Sequence, residues 1–583
     1  MLVAGAAAMV FALPVIGQQG PESLLPPGFG DPAPAPPPST NKPPVTDPAT
    51  PADPLTPRLG TAPSTSDDEA ADEDEELVIR YDIPPGARRS LSAVGIISES
   101  SGGYPASAFG VTRGAFLKQV LQRTNGPLAS RWGTIMARRL LASRTTTPAG
   151  VDGADWTAER AWLLLRMGDS VVARQLVQEV DAGRYSKRLH EVAMQAFLAN
   201  GDLAGMCPLT ESGIRMVADS KWKMSRPICA SLAGDQGNAT AFLNQGRYQG
   251  WMKGIDYLLT EKAIGAGING RRSVKIEWED VSNINSWRFG LSAATGIQPP
   301  DRLFADTGRQ VAGWRAQLPM FSAAVRVNSA PGAAALGVLS NRHMVDLYSQ
   351  IIDDEDAPDA ARSRAEALTS AYTASSDGDK IDAMTGLWSG ATEGADFLAT
   401  LVLTARAAAL IAPSSSHSGT ADRLIASMMT SGFDRSAAGW GNVVNEGSLG
   451  WALLAVGAPG SASVEYSTLD DFNENDDSQN AHKSALLLAG LAGLGRISAD
   501  ASTDFGGDLR INISRQSAWS REITAAAGRG ESGTVALLAL AGLQATDWTR
   551  VPAHHLFHIV RSLRAVGLEP EARMIAAEAV TFG

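Results

Sequence analysis

The chain of 583 residues is 44% hydrophobic and 19% charged, with 58 glycines, 32 prolines and two cysteines. At about 150 residues per domain, this length allows roughly three or four domains or one long repeat array, with enough apolar residues for a large core. The two cysteines exclude a disulfide-stapled mini-fold and a four-cysteine zinc site. The net charge of −12 argues against a nucleic-acid partner, because nucleic-acid-binding surfaces are basic.

An apolar run at the N-terminus has the length of a signal-peptide core. Residues 2–17 (LVAGAAAMVFALPVIG) carry no charge, and the run is shorter than the ~20 apolar residues that a membrane span needs. We therefore predict a signal peptide at 1–17, a periplasmic or secreted protein of a Gram-negative bacterium, and no stable membrane span in the mature chain. No lysine or arginine precedes the run, which leaves open a translation start further upstream.

The next segment has the composition of a linker. Residues 21–63 contain 15 of the 32 prolines, and residues 21–76 contain twelve acidic against two basic residues. Such a segment cannot bury a core, and its charges repel one another. We predict a disordered Pro-rich and acidic linker at 18–87, which leaves the rest of the chain nearly neutral.

A Gly-Asp pair recurs twice at an interval of 33 residues in the helical part of the chain. Each pair follows one apolar helical pattern and precedes another: Gly168-Asp169, Gly201-Asp202 and Gly234-Asp235. Glycine permits the left-handed conformation that ends a helix, and aspartate can cap the next one. A helix–turn–helix unit of this period is the signature of tetratricopeptide-like repeats.

These patterns predict an all-α fold, a tetratricopeptide-like α-solenoid of helical hairpins behind a disordered tail. We divide it into an N-terminal helical-repeat part at 88–270 and a C-terminal helical-repeat part at 271–583. The Gly-Asp pair returns at Gly378-Asp379, followed by further Ala/Leu-rich helical patterns. One segment, 272–278 (RSVKIEW), alternates with period two and indicates a short strand or hairpin.

The motifs that could carry chemistry are incomplete. Residues 265–270 match GxGxxG, but a helix precedes them where a dinucleotide site requires a strand. His554, His555 and His558 share a helical segment without the glutamate of a zinc protease. Asp470–Asp477 lacks the glycine and final glutamate of a calcium loop, so we expect a disordered polar loop there. We therefore predict no catalytic, cofactor-binding or metal-binding residues, although a hydrolase site without a recognisable motif stays open.

The two cysteines form the most concrete pair. Cys207 follows the second Gly-Asp turn, and Cys229 precedes the third, so the helices that carry them are neighbours in a repeat stack. In an oxidising compartment we expect a disulfide, which would stabilise the array by about 3 kcal/mol. Two buried free thiols are expected instead if the chain is not exported.

Several stretches resemble a group of exported helical repeat proteins of alphaproteobacteria, sphingomonad-like in style. They are ASRWGTIMARRLLASR (129–144), DWTAERAWLLLRMGD (155–169), CPL (207–209), ICASLAGD (228–235) and DYLLTEKAIGAG (256–267). The resemblance covers most of 90–583 and implies no particular reaction. Some such sequences carry the label "antifreeze glycopeptide polyprotein", but the tandem Ala-Ala-Thr of those glycopeptides is missing here. The 33-residue units are also similar to tetratricopeptide and Sel1-like repeats, which implies a protein-binding scaffold.

Two functional hypotheses follow. The first is a non-catalytic periplasmic scaffold or adaptor that binds envelope proteins through an extended repeat surface. The alternative is a peptidoglycan-binding or peptidoglycan-processing factor, related in architecture to the α-superhelices of soluble lytic transglycosylases. Those enzymes end in a lysozyme-like domain with a catalytic glutamate, whereas this chain ends in another repeat-like hairpin. Glu99, in a Glu-Ser pair, is the residue to test for that alternative.

Overall fold

The computed structural model describes residues 83–125, 127–267, 274–391, 394–460 and 462–583. Over these residues the fold is all-α, as predicted, and the only extended pairings in this part of the chain are two isolated β-bridges. The predicted signal peptide at 1–17 and nearly all of the predicted linker at 18–87 lie outside the described residues. In the part of the chain that the structure describes, no helix has both the length and the apolar character needed to cross a bilayer.

The first ten α-helices form the N-terminal half of the fold. They are α1 (Gly114–Arg123), α2 (Arg131–Ala142), α3 (Gly153–Arg166), α4 (Ser170–Gln178), α5 (Lys187–Ala199), α6 (Leu203–Met206), α7 (Thr210–Met216), α8 (Ser220–Leu232), α9 (Gln236–Tyr248) and α10 (Gly254–Gly267). Single 3-10 turns lie at Pro85–Ala87, Glu99–Ser101, Ala182–Arg184 and Cys207–Leu209.

The remaining helices follow from residue 286. They are α11 (Ser286–Ala294), α12 (Gln310–Gln317), α13 (Ala323–Val327), α14 (Ala330–Ala335), α15 (Asn341–Ser349), α16 (Asp359–Thr373), α17 (Asp377–Ser389), α18 (Gly394–Leu410), α19 (Ala421–Thr430), α20 (Asp434–Ala438), α21 (Leu449–Gly457), α22 (Tyr466–Glu474), α23 (His482–Leu494), α24 (Ala499–Asp508), α25 (Ala518–Gly528), α26 (Ser532–Gly542), α27 (Ala553–Ala565) and α28 (Glu569–Phe582). The 3-10 turns here are Asp301–Phe304, Ser415–Thr420, Gln479–Ala481 and Trp548–Arg550.

The repeats at the N-terminal end stack as hairpins. Helix α3 turns back through α4, α5 through α6 and α7, and α8 through α9, and each hairpin packs on the next. The second helix of the middle hairpin is not continuous, contrary to the expectation that Cys207 lies within a helix. Pro208 lacks the amide hydrogen that an α-helix needs, and a 3-10 turn at Cys207–Leu209 separates α6 from α7.

The chain then folds back along these repeats. Helix α10 packs on α8, α11 packs on α5, and α12 reaches α4, so the segment that follows the third repeat returns toward the first. Trp314 of α12 donates a hydrogen bond from Nε1 to the carbonyl of Leu165, 3.1 Å away. The N-terminal and C-terminal parts therefore pack against each other over a continuous interface.

Helix α2 lies where the beginning and the end of the chain meet. It packs on α3, α26 and α28. The Glu578 carboxylate of α28 accepts hydrogen bonds at the N-terminus of α2 from Ser130 Oγ (2.6 Å), the Arg131 amide (2.6 Å) and the Trp132 amide (3.0 Å). The fully buried Arg160 donates at the other end, to the carbonyls of Leu141 (2.9 Å) and Ser143 (2.7 Å).

These two buried charges complement the dipole of α2. An anion is favoured at a helix N-terminus and a cation at its C-terminus, and both groups here satisfy backbone groups that the helix cannot bond internally. Burial lowers the pKa of Arg160 to about 9, and its donated hydrogen bonds go to backbone carbonyls rather than to an acidic partner. The two contacts fix α2 between the first repeat and the last helix.

Three local predictions were wrong. Residues 274–278 form neither helix nor strand, while residues 272–273 of the predicted strand lie outside the described residues. Gly378 lies in the first turn of α17, because Ser376 caps that helix and accepts from the Asp379 amide at 3.1 Å. The acidic segment at 470–474, expected in a polar loop, belongs to α22, whose Leu469 and Phe472 are buried.

Candidate functional site

The three Gly-Asp turns share one backbone geometry. The glycines have positive φ angles of +87°, +61° and +84° at Gly168, Gly201 and Gly234. Each aspartate caps the following helix and accepts a hydrogen bond from the backbone amide three residues later, at 3.1, 2.9 and 3.0 Å for Asp169, Asp202 and Asp235. This is the arrangement that the residue types favour at a helix–turn–helix junction.

The surroundings of the three turns differ. A Cβ added at Gly168 would lie 3.2 Å from Leu336 and 3.3 Å from the Gln310 carbonyl, whereas one added at Gly234 would meet nothing within 4 Å. Helices α12 and α14 thus cover the first turn and leave the third one open. Of the three turn aspartates, Asp169 is the one beside which the returning chain forms a groove.

The groove has a volume of about 410 Å³ and lies between the Gly168–Asp169 turn and helices α12 to α15. Val172, Val338 and Leu347 give it an apolar floor, and Ala316 and Leu339 extend that floor. Its polar edges carry His343 and Asp346 of α15 on one side and Arg138 of α2 and Asp169 on the other, and Arg326 and Gln350, which bond to each other, complete the polar lining. We refer to this set as the groove.

The charges of the groove are partly paired. Arg138 Nε lies 3.1 Å from Asp169 Oδ2, and Arg326 Nη2 donates to Gln350 Oε1 at 2.9 Å. Burial raises the pKa of Asp169, and the Arg138 charge and the Val172 amide oppose that rise. Burial also lowers the pKa of Arg326. His343 and Asp346 are exposed at the opposite rim, where a ligand can reach them.

The cysteine pair lies at disulfide distance. The two sulfur atoms of Cys207 and Cys229 are 2.13 Å apart, and the bond closes a loop with a sequence separation of 22. It joins the turn between α6 and α7 to α8, so it ties the second repeat to the third. The pair is remote in sequence from every residue of the groove, and its contribution is to the stability of the stack.

The three histidines of α27 have structural environments. His558 is buried and its Nε2 lies 3.0 Å from the Arg515 carbonyl, while the ring of His555 stacks on Trp519 with centroids 4.6 Å apart. Burial lowers the pKa of His554, His555 and His558. Across the described segments, no group of three or more His, Cys, Asp or Glu side chains is arranged to hold a metal ion.

Glu99 lies at the surface, away from the groove. It begins the 3-10 turn Glu99–Ser101 and is exposed, and the neighbouring Ser98 hydroxyl bonds to the hydroxyls of Ser100 (2.8 Å) and Ser101 (3.0 Å). The groups nearest to it in the chain are thus small hydroxyls. A glycosidase acid needs a carboxyl whose environment raises its pKa, usually by burial in a cleft.

Sequence reasoning found one residue of the groove, Asp169, and assigned it a capping role. It missed Arg326 and His343, because α13 and α15 approach the first repeat only after the chain has folded back, and it missed Arg138 of α2, because nothing in the local pattern pairs that arginine with Asp169. A signal was present in the small residues that permit this approach. A Cβ at Gly313 would come within 2.6 Å of the Gly168 carbonyl oxygen, so two glycines far apart in sequence mark the contact.

Comparison with known proteins identifies no relative of this chain. A scan against protein-family models finds no match, and searches of curated proteins and of solved structures find none either. The groove is therefore the feature of the molecule from which we infer a function.

Proposed function

We propose that the chain is a non-catalytic helical-repeat scaffold that binds an extended segment of a partner protein in the groove. The observation that carries this proposal is the groove itself. It has a volume of about 410 Å³, and its apolar floor lies between two polar edges. That volume falls within the roughly 300–1,000 Å³ of ordinary ligand sites. An apolar centre with a polar rim is also the composition of protein–protein interfaces.

The chemistry of the edges favours a polypeptide over a compact metabolite. His343 and Asp346 of α15 and Gln350, which directly follows that helix, are three or four residues apart and offer donors and acceptors in a row. Val172 and Val338 provide apolar contacts beneath that row. An extended peptide matches such a site because its side chains can enter the floor while its backbone bonds to the edge.

We also propose that the chain works outside the cytoplasm, in the periplasm or as a secreted protein. The support is the Cys207–Cys229 pair, because disulfides persist in oxidising compartments and are rare in cytosolic proteins. The predicted signal peptide at 1–17 is a second, independent argument. Envelope proteins are then the class of partner to examine first.

The test is site-specific photo-crosslinking in cells. A photoreactive amino acid replaces Val171, which lines the groove, and in a matched control it replaces Tyr248, which is 93% exposed on α9. We expect one protein to crosslink from position 171 and not from 248. We expect Val172→Arg, which places a charge on the apolar floor, to remove that product.

The same experiment tests the alternative of a cell-wall factor. If peptidoglycan fragments, and no protein, are recovered from position 171, the scaffold proposal fails in favour of peptidoglycan binding. Clearing of purified sacculi that is lost in Glu99→Gln would show processing. Equal products from positions 171 and 248 would show that the groove is not the binding site.

A further inference from the structure

A second cavity, of about 220 Å³, lies beside the Gly168 turn and shares no lining residue with the groove. Its walls are residues 124–125 and 127–128 between α1 and α2, Thr134 of α2, the end of α3, the start of α12 and the end of α14. Gly168 separates the two spaces, because it packs between Leu336, which lines the cavity, and Val338, which lines the groove. We refer to this space as the Arg166 cavity.

The charged side chains at the Arg166 cavity, Arg166 and Arg309, are hydrogen-bond donors, and the uncharged polar ones are Thr124, Asn125, Thr134 and Gln310. Among the described residues, Arg166 Nε and Gln310 Nε2 are buried and have no hydrogen-bond partner. Arg166 uses Nη2 to bond the Leu121 carbonyl at 2.8 Å, which fixes its guanidinium in the wall. The exposed Arg309 side chain lines the same space. Protein atoms enclose Arg166 Nε and Gln310 Nε2, so the Arg309 guanidinium is the donor that a ligand can reach, and a guanidinium favours a ligand that accepts hydrogen bonds.

The charge of the cavity selects an anion. Its described lining includes two arginines and no acidic side chain. Burial lowers the pKa of Arg166 to about 10, and the nearby Glu159 opposes this, so the guanidinium remains charged at neutral pH. Glu159 does not line the cavity, and it accepts hydrogen bonds from Gln122 Nε2 at 2.9 Å and from Arg188 Nε at 3.3 Å.

The size and apolar walls define the rest of the ligand. A cavity of about 150 Å³ holds benzene, and drug-sized ligands need about 300 Å³ or more, so 220 Å³ suits a small ring or a short chain. Leu163, Met167 and Leu336 form the apolar wall. An inorganic anion would leave this wall in contact with water, whereas an apolar acid would cover it.

We propose that the Arg166 cavity binds a small apolar carboxylic acid. The carboxylate accepts hydrogen bonds from Arg309 beside the fixed positive charge of Arg166, and the apolar body packs on Leu163, Met167 and Leu336. This site does not depend on the partner-binding proposal, because its residues are different from those of the groove.

The experiment is calorimetric titration of the full chain with benzoate, benzamide and inorganic phosphate. Benzamide keeps the ring of benzoate without its charge, and phosphate keeps a charge without the ring. We expect one benzoate per chain, bound about tenfold more tightly than benzamide, because hydrogen bonds to a charged group are about twice as strong as neutral ones. Phosphate should bind more weakly than benzoate.

Two variants locate the site. Arg309→Gln should weaken benzoate binding about tenfold, and because Arg309 is exposed, its loss should leave the fold intact. Arg342→Gln, which removes an exposed arginine on α15, should leave binding unchanged. The proposal is overturned by equal binding of benzoate and benzamide, by phosphate binding as tight as benzoate, by no effect of Arg309→Gln, or by no benzoate binding at all.

Discussion

Glu578 is the single residue whose removal we expect to affect stability most. Its carboxylate accepts three hydrogen bonds at the N-terminus of α2, and the side chain is buried with 6% exposure. Glu578→Ala would leave two buried backbone amides and a hydroxyl without this acceptor. We expect the free energy of unfolding to fall by about 3 kcal/mol, measured by urea denaturation.

A control on the same helix separates this effect from a general loss of negative charge. Glu569 begins α28 with a side chain that is 49% exposed, and it pairs with Arg573 at 3.9 Å. Glu569→Ala should lower the free energy of unfolding by about 1 kcal/mol or less, because its half-exposed carboxylate lies 3.8 and 3.9 Å from the buried Arg496 and Arg573, beyond hydrogen-bond distance from both. Similar losses in both variants would show that Glu578 does not hold α2 in the way described.

Asp169 predicts a pH dependence of stability with a definite sign. Because burial raises its pKa in the folded chain, the folded state takes up a proton at a higher pH than the unfolded state. The stability linked to Asp169 is therefore complete below the unfolded pKa of about 3.9 and decreases as the pH rises through the folded pKa. Asp169→Asn removes this titration and keeps an oxygen for the Val172 amide.

The measurement is the difference in free energy of unfolding between the natural chain and Asp169→Asn, taken from pH 7 to pH 4. We expect the free energy of unfolding of the natural chain to rise relative to that of the variant as the pH falls. Comparing the two proteins cancels the titration of carboxyls such as Asp155 and Glu531, whose pKa values are lowered. If the natural chain instead lost stability relative to Asp169→Asn on acidification, the ion pair with Arg138 would outweigh the effect of burial on the pKa of Asp169.

At the residue scale, helix capping is the part of the site that can be predicted from the sequence. Gly168 and Asp169 act within four residues of one another, so their residue types are enough to indicate a helix end and a cap. Glu578 also sits at a helix N-terminus, but it serves a helix that begins 447 residues earlier. Nothing in its local pattern distinguishes it from a surface glutamate, and burial alone reveals its role.

At the scale of elements, two equivalent turns provide a matched comparison. Gly168 and Gly234 have nearly equal φ angles of +87° and +84°, so alanine carries the same backbone strain at both. Only at Gly168 would the new Cβ press on α12 and on Leu336. We expect Gly234→Ala to cost about 1–2 kcal/mol and Gly168→Ala about 1 kcal/mol more, from thermal and urea unfolding. Equal costs would argue against close packing of the returning chain on the first repeat.

Elements were predicted well where the periodic pattern was long and poorly where it was short. The hairpins α3/α4 and α8/α9 follow from apolar periodicity and capping residues. The strand predicted at 272–278 rested on seven alternating residues, and alternation forms a strand only where a neighbouring strand supplies hydrogen bonds. Lys275 and Glu277 are exposed to solvent, no strand lies beside the segment in the part of the chain that the structure describes, and the buried Trp278 joins a helical core instead.

At the scale of the whole molecule, the closure of the chain on α2 was not predictable. A repeat pattern indicates contacts between neighbours, and an open solenoid keeps its two ends apart. Here Arg131 donates to carbonyls at Ala334 (2.8 Å), Leu339 (3.3 Å) and Thr430 (2.5 Å), and so one side chain connects distant parts of the C-terminal region to α2. Such a side chain matches its acceptors only after all of these helices are in place.

Closure changes how a local perturbation spreads, and hydrogen exchange can measure this. In an open repeat array, destabilising the last helix affects mainly its neighbour. Because Glu578 and Arg160 bond the two ends of α2, we expect Glu578→Ala to raise amide exchange about a hundredfold in α2 and α28 together, as a loss of about 3 kcal/mol implies. Exchange in α3, which carries Arg160, should rise as well.

Gly234→Ala, in the third repeat, should raise exchange in α8 and α9 and leave α28 unchanged. If the Glu578 variant altered only α27 and α28, the two ends of the chain would be energetically independent despite their contact.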